Sequence, residues 1–124
     1  MPENVLFDQF KSILESIEIT QDRFDTIQIA EDFVTSPEGV TKLDSIAMRL
    51  QIIGEIIKSI DTKHSALFQN YPLIDWKKIM KLRDLISHHY DIINHKIIFD
   101  ICKNHMPKLK NTITQIINDL STNP

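Results

Sequence analysis

The sequence predicts an all-α fold, an antiparallel four-helix bundle, from three observations. The 124 residues include only two Gly, and three internal Pro residues (Pro37, Pro72 and Pro107) divide the chain into long pieces. Apolar residues recur in these pieces every three or four positions, which is the period of an amphipathic helix. The links between the pieces carry no β-hairpin signal. Because this length suits one hydrophobic core, we expect a single domain over residues 1–124.

The first two helices follow from the apolar pattern and from one clear start signal. A stripe that begins at Leu6 and Phe10 predicts a first helix over about 3–33, loosened at positions 20–21. Ser36 followed by Pro37 is typical of a helix start, with serine as N-cap and proline at the first helical position. The second helix then extends to about residue 61.

The last two helices enclose the most unusual stretch of the chain. After a polar link with a short turn near 65–68, Asp75 is a plausible N-cap for a third helix that continues towards Tyr90. Asn94 can cap the fourth helix, whose pattern continues to about Leu120. Pro107 removes a backbone N–H and crowds the preceding turn, so it predicts a kink or break in that helix.

Composition is typical of a soluble protein in a reducing compartment. Hydrophobic residues make up 42% and charged residues 25%. No apolar run approaches the roughly 20 residues that span a bilayer, and the acidic N-terminus lacks the basic region of a secretory signal. Cys102 is the single cysteine, so no internal disulfide or cysteine-based zinc site can form. We therefore expect a cytoplasmic protein without membrane association.

Charge is distributed unevenly although the formal net charge is only −3. Residues 1–76 hold six basic and thirteen acidic side chains, whereas residues 77–110 hold eight basic and three acidic side chains. A basic segment of this kind is compatible with a phosphate-binding face. It is equally compatible with an ordinary solvated helix surface.

The stretch RDLISHHYD, residues 83–91, lies in this basic segment. The five histidines of the chain show no HExxH pattern and no i, i+4 pair, and His88 and His89 would project about 100° apart on a helix. We therefore expect no metal and no other cofactor. Arg83 with His88 suits a metal-free reaction, the attack of an RNA 2′-hydroxyl on the adjacent phosphate. Histidine can take the proton, and arginine can hold the charge on the phosphate oxygens.

A purely structural interpretation also fits these residues. Arg83 can pair with Asp84 or a neighbouring acid, a histidine is favourable at a helix C-terminus, and Tyr90 can lie at the edge of a core. On a continuous helix, residues five apart diverge by about 140°, so Arg83 and His88 would not point the same way. Either the helix bends before His88, or a twofold dimer brings two copies of the segment together.

Several segments in order resemble HepT-type proteins of the HEPN (higher eukaryotes and prokaryotes nucleotide-binding) superfamily. RDLISHHY (83–90) resembles the R-x4-H-x-Y signature of that family. LDSIAMRLQIIGEIIKSID (43–61) is similar to its second helix, YPLIDWKKIMKLRDLISHHY (71–90) to its third, and KIIFDICKNHMPKLKNTI (96–113) to its last. Together these segments cover most of residues 36–120. The resemblance implies an all-α, HEPN-like helical bundle that dimerises, with a kinked C-terminal helix.

The resemblance also implies a function. Such proteins are metal-independent endoribonuclease toxins of type VII-like HepT/MntA toxin–antitoxin systems, and tRNA is one candidate substrate. Their partner, an MntA-type minimal nucleotidyltransferase, acts as antitoxin by transferring AMP to the motif tyrosine. Carried over, Arg83 and His88 are catalytic at a dimer cleft, Asp84 and His89 are supporting, and Tyr90 is the modified residue. The RNA-binding candidates are Lys77, Lys81 and Lys96.

Two positions depart from the pattern of many relatives, which place an aromatic residue after the tyrosine and an acid at the start of the last helix. Asp91 and Asn94 stand there in this chain. Glu55 matches a recurring family residue, either as a buried carboxylate or as a dimer contact. An alternative function is a non-catalytic module that binds nucleotide or substrate for a nucleotidyltransferase. A third is a helical interaction protein in which the motif is structural.

Overall fold

The computed structural model describes residues 2–89 and 92–122, and the helical bundle predicted from the sequence is confirmed in them. The helix α1 (Pro2–Phe24) packs along both α2 (Pro37–Lys63) and α6 (Met106–Thr122), and α2 also contacts the short helices α3 (Trp76–Met80), α4 (Leu82–Ile86) and α5 (His95–Asp100). None of the helices in the described ranges combines the length and the apolar character needed to cross a membrane. The elements in chain order are α1 (Pro2–Phe24), a 3-10 turn (Ala30–Phe33), α2 (Pro37–Lys63), a 3-10 turn (Leu67–Asn70), α3 (Trp76–Met80), α4 (Leu82–Ile86), β1 (Ser87–His89), β2 (Ile92–Ile93), α5 (His95–Asp100), a π-helical turn (Ile101–His105) and α6 (Met106–Thr122).

The core is built on α2, which buries residues along its whole length. Full burial of one large aliphatic or aromatic side chain contributes about 1.5–3 kcal/mol, so the inner faces of α1, α2 and α6 supply most of the stabilisation. The largest fully buried side chains are Phe10, Ile13, Ile17, Phe33, Ile46, Leu50, Ile53, Ile57, Ile60, Ile86, Ile98 and Met106.

The first helix ends earlier than predicted. It runs without interruption through positions 20–21, and the buried Thr20 hydroxyl is satisfied there by donating to the Ser16 carbonyl at 2.8 Å. It stops at Phe24, not near residue 33. The Asp32 carboxylate accepts the N–H groups of Gln28 at 2.9 Å and Ile29 at 3.1 Å, which offers this backbone an alternative to helical bonding. The chain folds back here and buries Phe33.

The start of α2 is confirmed as predicted. Ser36 has extended backbone angles and its hydroxyl accepts the Gly39 N–H at 3.0 Å, while Pro37 occupies the first helical position. The helix continues to Lys63, two residues beyond the predicted end. Glu55, on this helix, is exposed in the chain, so the interpretation as a buried carboxylate is wrong.

The third helix is shorter than predicted and is divided. Asp75 caps α3 by accepting the Lys78 N–H at 3.1 Å, but the chain forms a turn at Lys81 and α4 ends at Ile86. In a continuing helix, the Ile86 carbonyl would accept a bond from residue 90. It accepts the Asn94 N–H at 3.1 Å instead. The prediction of a helix towards Tyr90 is therefore wrong, and Tyr90 itself lies outside the described residues.

The fourth helix is interrupted by a π-helical turn at Ile101–His105. Asn94 caps α5, with its side-chain oxygen accepting the N–H groups of Lys96 at 3.2 Å and Ile97 at 3.1 Å. The Met106 N–H bonds to the Ile101 carbonyl, five residues back, and Pro107 follows directly. This wider turn accommodates the proline ring, which would crowd the preceding turn of a regular α-helix.

The short helix α3 is fixed to the bundle by Trp76. Its ring stacks on Phe68 with centroids 4.3 Å apart, and its Nε1–H donates to the Tyr71 carbonyl at 2.9 Å. On the other side, α3 approaches α2 closely at Gly54, where a Cβ atom would lie 2.7 Å from the Ile79 carbonyl oxygen. The position of α3, and with it the start of the motif, depends on these two contacts.

Replacing Gly54 tests the close approach of α2 and α3. We expect Gly54→Ala to lower the free energy of unfolding by about 1 kcal/mol or more, because overpacking against backbone outweighs the gain in helix propensity. Chemical denaturation measures this change. Ser59→Ala, at an exposed position of the same helix, is the control and should cost nothing. A Gly54→Ala variant as stable as the parent would contradict the contact.

The bond between Tyr71 and Asp119 makes stability depend on alkaline pH. The Tyr71 hydroxyl donates to the Asp119 carboxylate at 2.6 Å, and burial together with this bond and charge raises the pKa of Tyr71 to about 12. Because the folded pKa exceeds the ordinary value of 10.0, the contact stabilises fully below about pH 10 and is lost as the pH rises towards 12.

We therefore expect Tyr71→Phe to lower stability by about 1 kcal/mol at neutral pH and to remove the loss of stability between pH 10 and 12 that this contact causes in the parent. Phenolate absorbance measures the pKa directly in a Tyr90→Phe background, where Tyr71 is the remaining tyrosine. A Tyr71 titration near pH 10 in that background would contradict the assignment.

Candidate functional site

The helix α4 presents the first residues of the motif to solvent. Leu82 and Ile86 are buried against the bundle, while Arg83 and Asp84 on the other side of the helix are exposed. This five-residue helix thus anchors itself through its apolar positions and carries Arg83 on its exposed side.

The residues that follow α4 in the motif begin in the short strand β1, which pairs with β2. Antiparallel pairing joins Ser87 to Ile93 and His89 to Ile92, and the Asn94 N–H bond to the Ile86 carbonyl closes the base of the loop. The side chains of residues 87–89, like Tyr90 and Asp91, lie outside what the structure describes. The roles assigned to His88, His89 and Tyr90 therefore stay predictions.

The end of α4 at Ile86 changes the geometry expected for Arg83 and His88. The divergence of about 140° applies only to a continuous helix. Here Arg83 is helical, whereas His88 belongs to the extended strand β1. The helix therefore does change before His88, as the first alternative from the sequence requires, and the second alternative, a twofold dimer, stays a prediction.

Arg83 is not paired with its neighbour. Among the described residues, the ion pairs are Arg23 with Asp22 and His105 with Asp100, so Arg83 and Asp84 form none with each other. This removes the structural interpretation in which Asp84 neutralises Arg83 within one chain. A supporting role for Asp84 stays a prediction.

The three predicted RNA-binding lysines are all exposed, but they lie on different elements. Lys77 lies on α3, Lys81 follows it in the turn before α4, and Lys96 lies in the first turn of α5. Lys96 also borders a groove, which the other two do not.

This α3–α6 groove was not predicted from the sequence. It has a volume of about 690 Å³ and lies between the segment 73–85 and the segment 94–109. Two sequence signals point towards it. Leu73 and Ile74 form an apolar pair in an otherwise polar link, and the lysines at 78, 96 and 108 lie next to apolar residues of the lining. The groove is lined by Leu73, Ile74, Asp75, Lys78, Ile79, Leu82, Leu85, Asn94, Lys96, Ile97, Asp100, Ile101, His105, Met106, Lys108 and Leu109.

Two titratable groups near the groove have shifted pKa values. The Asn104 amide donates to Asp100 at 2.7 Å and, with His105 nearby, holds the pKa of that carboxyl below its usual value. Burial raises the pKa of the Cys102 thiol to about 12, so it is no nucleophile near neutral pH. The described residues contain no group of three or more His, Cys, Asp or Glu side chains that could hold a metal ion.

The helical bundle, with its exposed arginine on the short helix α4, agrees with the fold class of HEPN-type proteins. The sequence model of the family described as ribonuclease HepT-like matches residues 13–116. The chain belongs to the ribonuclease HepT-like family.

Curated relatives agree with this assignment. The chain is 36% identical over 76 residues to a predicted RNase of Methanocaldococcus jannaschii, covering 61% of this chain and 60% of that protein. It is 30% identical over 111 residues to a gamma-glutamylcyclotransferase and predicted RNase of the same organism, covering 90% of this chain and 47% of the relative.

A third relative covers most of both chains. A probable ribonuclease HepT of Thermococcus cleftensis is 28% identical over 103 residues, which is 83% of this chain and 87% of the relative. The chain thus spans about half to 60% of the first two relatives and most of the third. No solved structure gives a significant match to this chain.

Removing the Asn94 cap tests how the loop is held. We expect Asn94→Ala to lower stability by about 1 kcal/mol and to speed amide hydrogen exchange at Lys96 and Ile97, because their N–H groups lose the side-chain acceptor. Ser36→Ala is the matched control, since it removes the equivalent cap from α2. Exchange at Lys96 and Ile97 that changes equally in both variants would contradict a local role.

Proposed function

We propose that this protein is a metal-independent endoribonuclease, the toxin of a HepT/MntA-type toxin–antitoxin system. The observation that carries the proposal is the Arg-x4-His-x-Tyr motif at 83–90 within the region that matches the HepT-like family. The exposed Arg83 and the end of α4 before His88 support it, because both residues can then face one substrate.

In the proposed reaction, His88 takes the proton of an RNA 2′-hydroxyl. The 2′-oxygen then attacks the adjacent phosphorus, an O–P bond forms, and the bond to the 5′-oxygen of the next nucleotide breaks. The leaving oxygen takes up a proton from a protonated His88 of the second protomer. The products are a 2′,3′-cyclic phosphate and a 5′-hydroxyl, and this route needs no metal ion.

Arg83 has an electrostatic role in this scheme. Negative charge builds up on the non-bridging phosphate oxygens as the 2′-oxygen attacks. A guanidinium can donate two parallel hydrogen bonds to them. Its exposed position and the absence of an Asp84 ion pair in the described residues leave these donors available. Lys77, Lys81 and Lys96 would contact the flanking RNA backbone.

The proposed control acts on Tyr90. A minimal nucleotidyltransferase partner would transfer AMP from ATP to the tyrosine oxygen, with formation of an O–P bond, cleavage of the α–β phosphoanhydride bond and release of pyrophosphate. A bulky anion two residues after His88 would compete with the RNA phosphate for Arg83. The proposal also includes a homodimer and a cytoplasmic location.

An RNA-cleavage assay in EDTA tests the catalytic assignment. The parent should cut RNA and leave 2′,3′-cyclic phosphate ends, and a single 2′-deoxy nucleotide at the cut should prevent it. We expect His88→Ala and Arg83→Ala to lower the rate by about 10²–10⁴-fold. His89→Ala should retain most of the activity, which separates the two histidines.

The matched controls are His64→Ala and Arg23→Ala, which remove the same residue types elsewhere on the chain. Both should cut RNA at the parent rate. If folded Arg83→Ala and His88→Ala also cut at that rate, the assignment fails. A parent without any RNA cleavage but with a stable nucleotidyltransferase complex would instead favour the non-catalytic binding module.

A further inference from the structure

The α3–α6 groove has the size and the lining of a small-molecule site. Its volume is about 690 Å³. Pockets for small ligands measure about 300–1,000 Å³ and are lined mainly by apolar side chains with a few polar groups. The apolar lining here comes from two segments that are separate in the sequence, 73–85 and 94–109. The proposed reaction makes no use of an apolar surface, so it leaves this lining unexplained.

The apolar side chains of the groove lie deeper than its charged ones. With the exception of Leu73 at the edge, which is 89% exposed, they are buried or half-buried. The three lysines of the lining, Lys78, Lys96 and Lys108, are exposed. The described lining contains no Phe, Tyr or Trp on which a nucleobase could stack. A ligand that fits this arrangement therefore has an aliphatic body and a charged end.

The carboxylates of the groove already have partners within the chain. Asp75 accepts the Lys78 backbone N–H at 3.1 Å as the cap of α3. Asp100 accepts the Asn104 amide at 2.7 Å, and the Nε2 atom of His105 lies 3.3 Å from it. The Asn104 bond is the main cause of the lowered pKa of Asp100, and the charges of His105 and Lys78 add to it. These acids are therefore poorly placed to bind a cationic ligand.

Two ammonium groups of the rim are left without such a partner. Within residues 2–89 and 92–122, neither Lys96 nor Lys108 forms an ion pair. Unpaired cations beside an apolar surface favour an anion. We propose that the α3–α6 groove binds an aliphatic carboxylate of the fatty-acid type, with its chain on the apolar lining and its carboxylate at Lys96 or Lys108. This binding site goes beyond the proposed function and does not depend on it.

Titration calorimetry with the full chain at low salt tests the proposal, with octanoate, nonanoate and decanoate as probes below their micelle concentrations. We expect the affinity to rise about fourfold for each added methylene, because each one buries further apolar surface in the groove. Decyltrimethylammonium has the same chain length with the opposite charge. It should bind at least about tenfold more weakly than decanoate, because the lysines of the rim repel it.

One pair of variants tests the apolar contact. Leu73→Glu should bind decanoate at least about tenfold more weakly, because it removes an apolar contact and adds a like charge. The 89% exposure of Leu73 means that this change does not disturb the folded chain. Met48→Glu adds the same charge at a 62% exposed apolar position of α2 outside the groove. It is the control and should bind decanoate like the parent.

A second pair tests the charged end of the ligand. The double variant Lys96→Gln with Lys108→Gln should bind decanoate at least about fivefold more weakly, which is the loss expected for exposed charge contacts. Lys58→Gln with Lys63→Gln removes two exposed lysines of α2 outside the groove and is the matched control. It should leave the affinity unchanged.

Several results would overturn the proposal. They are a parent that binds none of the three carboxylates, equal affinity for decanoate and decyltrimethylammonium, and folded groove variants that bind decanoate like their controls. Binding to vesicles of an anionic phospholipid without binding of free decanoate would also overturn it, since that result indicates a membrane-surface contact. A parent that binds decanoate in the groove but cuts no RNA leaves this inference intact and removes only the nuclease assignment.

Discussion

The close contact between α2 and α3 at Gly54 is the constraint on which the motif region depends. Only a residue without a Cβ atom lets the Ile79 carbonyl approach this closely. Because α3 lies so close to α2, the helix that follows it, α4, places Leu82 and Ile86 in the core. Two helices of five residues each have little stability of their own, so their position must come from such tertiary contacts.

Asn94 is the second residue that holds the motif region in place, and it does so through two separate hydrogen-bonding groups. Its N–H closes the loop on Ile86 and its side chain caps α5, so the loop between these residues is tied to the bundle at both ends. Functional side chains on loops gain precision when rigid elements hold the loop ends. Asparagine is among the residues that cap helices best, so this position holds the start of α5 as well as the loop.

Much of the fold follows from the sequence, and the exceptions have physical causes. The caps at Ser36, Asp75 and Asn94 were predicted because capping depends on local residue types. The ends of α1 and α4 were not. The local bonds of Asp32 and the burial of Phe33 follow the end of α1, and the bond from Asn94 to Ile86 replaces the next helical bond at the end of α4. For the site, the sequence predicts Arg83 as a candidate but not its exposure, and the groove emerges only when distant segments come together.

The π-helical turn at Ile101–His105 has a consequence for the rotational phase of the last helix. Ile98, Cys102 and Met106 are all buried and follow one another at spacings of four residues. On a regular α-helix, side chains at this spacing would rotate about the helix axis by about 80° over eight residues. The wider turn absorbs that drift and keeps the α6 side chains Leu109 and Ile113 aimed into the bundle. Deleting one residue in this turn would rotate the whole of α6 by about 100° about its axis. The π-helical turn therefore links two features of the fold. Ile101 and His105 line the α3–α6 groove, and the same turn sets the face of α6 that packs on α1.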